Sequence, residues 1–211
     1  NSRYTASVSQ PLCIYANDYD KNGTIDPIMC LFIQGKDYPA ASRDAMIHQI
    51  SAMRGRFKTE DDYANGTCKE PFTPEELDGA LAVKCETLYS TYIENMGNGS
   101  FSMHKLPVLA QLGPINAIQV LDIDEDGNLD ALIVGNNYSG DASVGNSDAM
   151  VGLSLMGDGR GGFFPQLGSK TGFFVDSDAK DIKIISAKNG EKLILVSSNS
   201  SKLKVFELLG H

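Results

Sequence analysis

Two stretches of this 211-residue chain space oxygen-bearing side chains at alternate positions, a spacing suited to holding a metal ion. The first, NDYDKNGTIDPIMCLFIQG from Asn17, carries Asp18, Asp20, Asn22 and Asp26. The second, LDIDEDGNLDALIVGN from Leu121, carries Asp122, Asp124, Asp126 and Asp130. Counted from the first aspartate, both sets fall at positions 1, 3, 5 and 9, with Gly23 or Gly127 at position 6. Alternate positions of a tight turn point inward together, and the glycine takes the sharp bend that a β-carbon would resist. Position 7, Thr24 or Asn128, offers its main-chain carbonyl. Three or four carboxylates converging without a cation would repel one another by several kcal/mol, so the arrangement implies an ion. Hard oxygen donors in a flexible loop favour Ca2+ over transition metals, and the ligand count favours it over Mg2+, giving two expected Ca2+ sites. An EF-hand starts the same way but needs a bidentate Glu at position 12, where this chain has Met29 and Ile133. It also needs flanking helices, whereas IMCLFIQG and ALIVGN are apolar and β-branched and read as buried strands.

The elements that would position these loops are mostly strands. INAIQVLDI, DALIVGNN, DAMVGLSLMG, DIKIISAKNG, EKLILVSSN and KLKVFELL follow one another, and KNGEK at Lys188 to Lys192 is a hairpin signal. A second shared phrase follows each loop: NMGNGSFSM around Gly97 and LMGDGRGGFFP around Gly157, each a glycine-tipped hairpin returning into a strand at Phe101 or Phe163. Helical signals interrupt this β pattern over roughly residues 40–88. SRDAMIHQISAMRGRF places Met46, Ile50, Met53 and Phe57 at helical spacing behind a Ser42 cap, and Thr73, Pro74 and Glu76 open a capping box.

The phrases NDYDKNGTIDPI, LDIDEDGNLDALIVGN and MGDGRGGF resemble the FG-GAP or VCBS repeats of the integrin α-chain β-propeller and of bacterial surface proteins of the ASPIC/UnbV type. The resemblance covers about residues 11–39 and 88–165. It implies blades of four antiparallel strands with a calcium loop between the first two. A third, worn copy, FFVDSDAKDIKII, keeps Asp176, Asp178 and Asp181 without the glycine or a fourth ligand, and no metal is assigned to it. At roughly 40 to 45 residues per blade the chain supplies three to four, fewer than or barely as many as a propeller needs to close. The expected fold is therefore a mostly β, partial propeller over 1–211 with a helical insertion at 40–88 in its first blade. Its partners would include the remaining blades of a longer parent chain.

Composition narrows the function. The net charge of -9, with RGRFK (Arg54 to Lys58) as the sole basic cluster, argues against sequence-independent binding to nucleic acid or anionic lipid. No run reaches the ~20 apolar residues of a membrane span, and NSRYTASVSQ lacks the regions of a signal peptide. Cys13, Cys30, Cys68 and Cys85 lack zinc-site spacing, leaving two disulfides or four thiols open; Cys13 and Cys30 flank the first loop, where a cross-hairpin bridge is possible. His48, His104 and His211 show no triad or zinc spacing, and the Gly157, Gly159, Gly161 series reads as a hairpin tip, not a phosphate loop. Five Asn-x-Ser/Thr sequons begin at Asn22, Asn65, Asn98, Asn137 and Asn199; Asn22 is needed as a metal ligand, and chance in Asn- and Gly-rich turns explains the set.

The leading expectation is a calcium-stabilised, non-catalytic module of a secreted, periplasmic or cell-surface protein that binds a protein or glycan. The alternative is part of a polysaccharide-processing enzyme, its cleft framed by residues 136–148 and the helical insertion. A third possibility is pure scaffold, with the binding surface elsewhere in the parent chain.

Overall fold

The computed structural model describes residues 4–140 and 145–209. The chain divides after Leu88 into two compact units.

In the N-terminal unit, strands β1 (Leu12–Asn17), β2 (Asp26–Ile33), β3 (Lys36–Pro39) and β4 (Leu81–Cys85) form one antiparallel sheet in the order β3-β2-β1-β4. Gln34 and Gly35 both have positive φ (51° and 84°), the requirement of a tight two-residue turn joining β2 to β3. Four short helices fill the chain between β3 and β4: α1 (Arg43–Gln49), α2 (Met53–Arg56), α3 (Glu60–Asn65) and α4 (Pro74–Asp78). Ser42 caps α1 through a bond from the Ala45 N–H, while Thr59 with Asp62 and Thr73 with Glu76 form complete capping boxes. The helical spacing of Met46, Ile50, Met53 and Phe57 implies one continuous helix. The structure breaks it at Ile50, whose backbone is extended, yet all four side chains remain buried. The guanidinium of Arg43 steadies the end of α2 by donating to the carbonyls of Phe57 and Lys58. These apolar residues pack with Cys13, Ile28, Cys30 and Cys68 of the same unit into one core. The bridge is Cys30–Cys68, not the Cys13–Cys30 pairing that the hairpin made possible; Cys13 is a buried thiol and Cys85 an exposed one.

In the C-terminal unit, β5 (Thr91–Gly97) and β6 (Ser100–Lys105) make a hairpin that, among the described residues, pairs only with itself. Repeat spacing assigns this hairpin to the same blade as the first acidic loop, but β3 and β4 flank that sheet instead. A four-stranded sheet follows in the order β10-β9-β8-β7, from β7 (Ile115–Leu121), β8 (Asp130–Gly135), β9 (Leu153–Gly157) and β10 (Phe163–Gln166). Strands β11 (Ala179–Ser186), β12 (Lys192–Ser198) and β13 (Lys204–Leu208) make a three-stranded sheet. The unbroken apolar run of β8 is explained by burial of all its residues. Leu132 and Val134 face a core with Val175, Ile182 and Val196, while Ala131 and Ile133 face another with Met150, Leu153 and Leu155. Asn136, just past β8, has positive φ (82°) and is fully buried. Its side-chain amide donates to the carbonyls of Met150 (2.7 Å) and Ser177 (3.1 Å) and accepts from the Met150 N–H (2.9 Å).

The protein is thus mostly β, in small antiparallel sheets with short helices, and among the described residues no sheet closes into a barrel.

Candidate metal centres

Each acidic loop joins the first two strands of a sheet, β1 to β2 and β7 to β8. The register runs up to the loops: Asn17 pairs with Asp26, and Leu121 with Asp130. Position 9 therefore opens the second strand with its side chain fixed by the ladder, and both Asp26 and Asp130 are buried.

Inside the loops the same four bonds recur. The N–H of Tyr19 donates to Asp26 Oδ2 (3.2 Å) as that of Ile123 does to Asp130 Oδ2 (2.7 Å). Gly23 donates to Asp18 Oδ2 (2.8 Å), and Gly127 to Asp122 Oδ2 (2.9 Å). Asn22 donates to Asp20 Oδ1 (3.2 Å), and Asp126 to Asp124 Oδ1 (3.3 Å). Thr24 donates to Asn22 Oδ1, and Asn128 to Asp126 Oδ1, both at 2.7 Å. Positive φ falls at matching places too, Lys21 and Gly23 against Glu125 and Gly127. Two segments with different residues at five of nine positions thus fold to one local structure, because the aspartates and the glycine dictate it.

The result is two clusters, Asp18 with Asp20 and Asp26, and Asp122 with Asp124 and Asp130, each offering carboxylate oxygens within 4.8 Å of one another. At that separation and an effective dielectric of about 20, each like-charge pair costs about 3 kcal/mol before solvent screening at the exposed members. At Asp26 burial, above all, pushes the carboxyl above the ordinary range; the Tyr19 and Gln49 bonds oppose this, and the charges of Asp20 and Asp18 add a smaller rise. A divalent cation held there would reverse that balance. The donor set fits one, since Asp122 Oδ1 is buried without a hydrogen-bond partner among the described residues. In the first loop the Asn22 N–H occupies the corresponding oxygen, Asp18 Oδ1, at 2.9 Å.

Positions 1, 3 and 9 therefore converge as their spacing predicts. Positions 5 and 7 are engaged with each other: Asp126 accepts from both the N–H and the side-chain amide of Asn128, which holds its carboxyl below the ordinary range. Asn22 and Thr24 make the backbone half of that pairing and are exposed.

Supporting residues escape a reading by spacing alone. Asp130 Oδ1 accepts from the Gly157 N–H (2.8 Å), which ties the second loop to β9. Tyr19 is buried against Phe72, ring centroids 4.4 Å apart; burial first, then the Glu76 and Asp26 charges, push its hydroxyl up to about 12. The Asn17 amide donates to the Glu76 carbonyl, and Gln49 to that of Pro27, so both ends of the first loop bear on helices. The glycine phrase around Gly157 ends in a tip where Asp158 Oδ1 accepts from the N–H groups of Arg160 and Gly162.

In the worn third segment lysines meet the carboxylates. Lys204 lies 2.6 Å from Asp176, and Lys180 lies 2.6 Å from the buried Asp178. His104 faces Glu94 across the β5–β6 hairpin at 3.2 Å, and His48 ends α1; His211 lies outside the described residues. Of the segment 136–148, residues 141–144 also lie outside them, and the remainder belongs to the C-terminal unit while the helices belong to the N-terminal one. No helix is long and apolar enough to cross a membrane among the described residues. No family model, curated protein or solved structure matches this chain.

Proposed function

We propose that the chain is a calcium-stapled, non-catalytic β module of an exported protein, built from propeller-type blades and displaying a surface for another protein. The carrying observation is the repeated loop: four identical bonds and three converging carboxylates, each at the joint between a sheet's first two strands. Oxygen-only donors on a bend of this length favour Ca2+, and extracellular calcium is abundant enough to fill weak sites. The second loop, with an aspartate at position 5 and an unpartnered oxygen on Asp122, is the tighter of the two. The Cys30–Cys68 disulfide supports export, since such bridges persist in oxidising compartments. A cavity of about 590 Å3 between the β5–β6 hairpin and the β7–β10 sheet, lined by Tyr92, Leu106, Ile118, Val120, Leu129 and Phe163, favours a protein ligand over a glycan because its walls are apolar.

Calorimetric titration of the full chain with calcium tests the reading. Two equivalents bind, and Asp26→Asn or Asp130→Asn each removes one. Terbium emission sensitised by Tyr19 reports the first loop, and Tyr19→Phe removes that part of the signal while leaving any contribution of Tyr92 beside the second loop. The absence of calcium-dependent heat, with a melt unmoved by chelator, would refute the proposal.

A further inference from the structure

Three of the four cysteines share one core. Cys13, Cys30 and Cys68 are each at most 5% exposed and belong to a single buried cluster of the N-terminal unit. Cys30 is bonded to Cys68, with their α-carbons 6.1 Å apart. Cys30 is also the direct cross-strand partner of Cys13 in the β1–β2 ladder. Directly opposed antiparallel residues point to the same face with α-carbons about 4.5 or 5.5 Å apart, and either spacing lies within the range a disulfide spans. Cys30 therefore has two partners of acceptable geometry, one bonded and one held beside it as a free thiol.

The neighbourhood also suits exchange. Lys69, next to Cys68, lies 5.0 Å from the ring centre of Tyr15. Tyr15 is two residues from Cys13 on β1 and so shares its face. The Lys69 ammonium is held above its ordinary value by its bond to Tyr15 first, with smaller contributions from Asp37 and Cys13. The Lys69 cation thus stands against Tyr15, whose ring packs on the cysteine cluster.

We propose that Cys13 is an internal resolving thiol that moves the disulfide from Cys30–Cys68 to Cys13–Cys30. The Cys13 thiolate attacks Cys30 Sγ, a Cys13–Cys30 bond forms, and the Cys30–Cys68 bond breaks. Cys68 leaves as a thiolate and takes up the proton that Cys13 gave up, so no oxidant or reductant is consumed. Burial of Cys13 is no obstacle, because the attacked sulfur lies in the same cluster. The exchange changes what the bridge fastens. Cys68 sits between α3 and α4, so the present bond ties the helical segment to the sheet across a sequence separation of 38, whereas the exchanged bond lies within one hairpin. Moving it unlatches the helical segment and leaves the hairpin around the first acidic loop bridged. This inference does not depend on calcium binding.

Disulfide mapping over time on the full chain tests it. Samples held at neutral pH are acid-quenched, alkylated and digested, and bridged peptides are identified by mass spectrometry. Cys30 is expected in two bridges, with Cys68 alkylated and Cys13 protected in molecules carrying the second. Cys13→Ser abolishes Cys68 alkylation, and Cys68→Ser in oxidised glutathione forms Cys13–Cys30. Wild-type protein that shows only Cys30–Cys68 with Cys13 alkylated at every time would overturn the proposal. So would Cys68 labelling unchanged in Cys13→Ser, or a Cys13–Cys68 bridge in place of Cys13–Cys30.

Discussion

Asp130→Asn separates the two roles of the buried carboxylate at the second loop. One oxygen accepts from the Gly157 N–H at 2.8 Å and the other from the Ile123 N–H at 2.7 Å, and the residue is 1% exposed. An asparagine turns its NH2 toward one of those donors, which loses a charge-assisted bond of about 1.5–3 kcal/mol and strands a buried N–H. Without metal this loss is offset in part, because the neutral side chain no longer repels Asp122 and Asp124, so the net cost should stay below about 3 kcal/mol. With calcium at a hundredfold excess over its dissociation constant, wild type gains about 2.7 kcal/mol that the variant forgoes. The gap between the two proteins should therefore widen by about 2.7 kcal/mol on going from chelator to calcium. Hydrogen exchange of β8 amides, read by mass spectrometry in both buffers, measures the gap locally and does not require the two units to unfold together. An equal gap in the two buffers would mean that no ion engages Asp130.

Other outcomes are open to measurement. Arg56 donates to both oxygens of Glu76 at 2.8 Å and, as the largest influence, holds that carboxyl below its ordinary 4.5. Because the folded value is depressed, the pair's contribution is complete above about pH 4.5 and disappears as pH falls through the folded value; Arg56→Met should remove about 1–2 kcal/mol near neutrality and flatten an acid melt in chelator. Asn136→Ala strands the Met150 N–H and two carbonyls, and urea titration should show a loss of about 3–4 kcal/mol that Asn136→Gly does not recover despite relieving the positive φ. In Gly157→Ala the new methyl meets the Leu129 carbonyl, so calorimetry should show weakened calcium binding at the second loop while the first is unaffected.

The acidic loops were legible because their geometry is local. Aspartate spacing and one glycine are enough to predict convergence at positions 1, 3 and 9. Spacing does not reveal that Asn128 turns its own amide onto Asp126, since a side chain's choice between an ion and a neighbouring donor depends on rotamers, not on position. The capping box at Thr73 was similarly open to reading from its Pro and Glu, whereas that at Thr59 escapes the usual signature because Asp62 stands where Glu or Gln is expected. Long-range pairings were not. Cys30 lies opposite Cys13 but bonds Cys68 because the short helices carry that residue into the same core, and no pattern in β1 or β2 records this. The same holds for β4, which reaches β1 across the helical segment while the β5–β6 hairpin, among the described residues, pairs only with itself. In the third segment the aspartates were visible, but Lys204, which meets Asp176, comes from a strand 28 residues later.

Strand β7 ends the hydrogen-bonded order of its sheet and lies beside β11, where the Asn116 amide donates to the Ala179 carbonyl, while Ile118 and Val120 stand more than half exposed on its open face. An apolar face of this kind draws molecules together unless something holds them apart. Here the surplus of nine negative charges is the available deterrent, and its reach shrinks to about 10 Å at 0.1 M salt. Concentrated brine should therefore promote self-association during handling, and ionic strength becomes the variable that governs how long solutions of this protein stay clear.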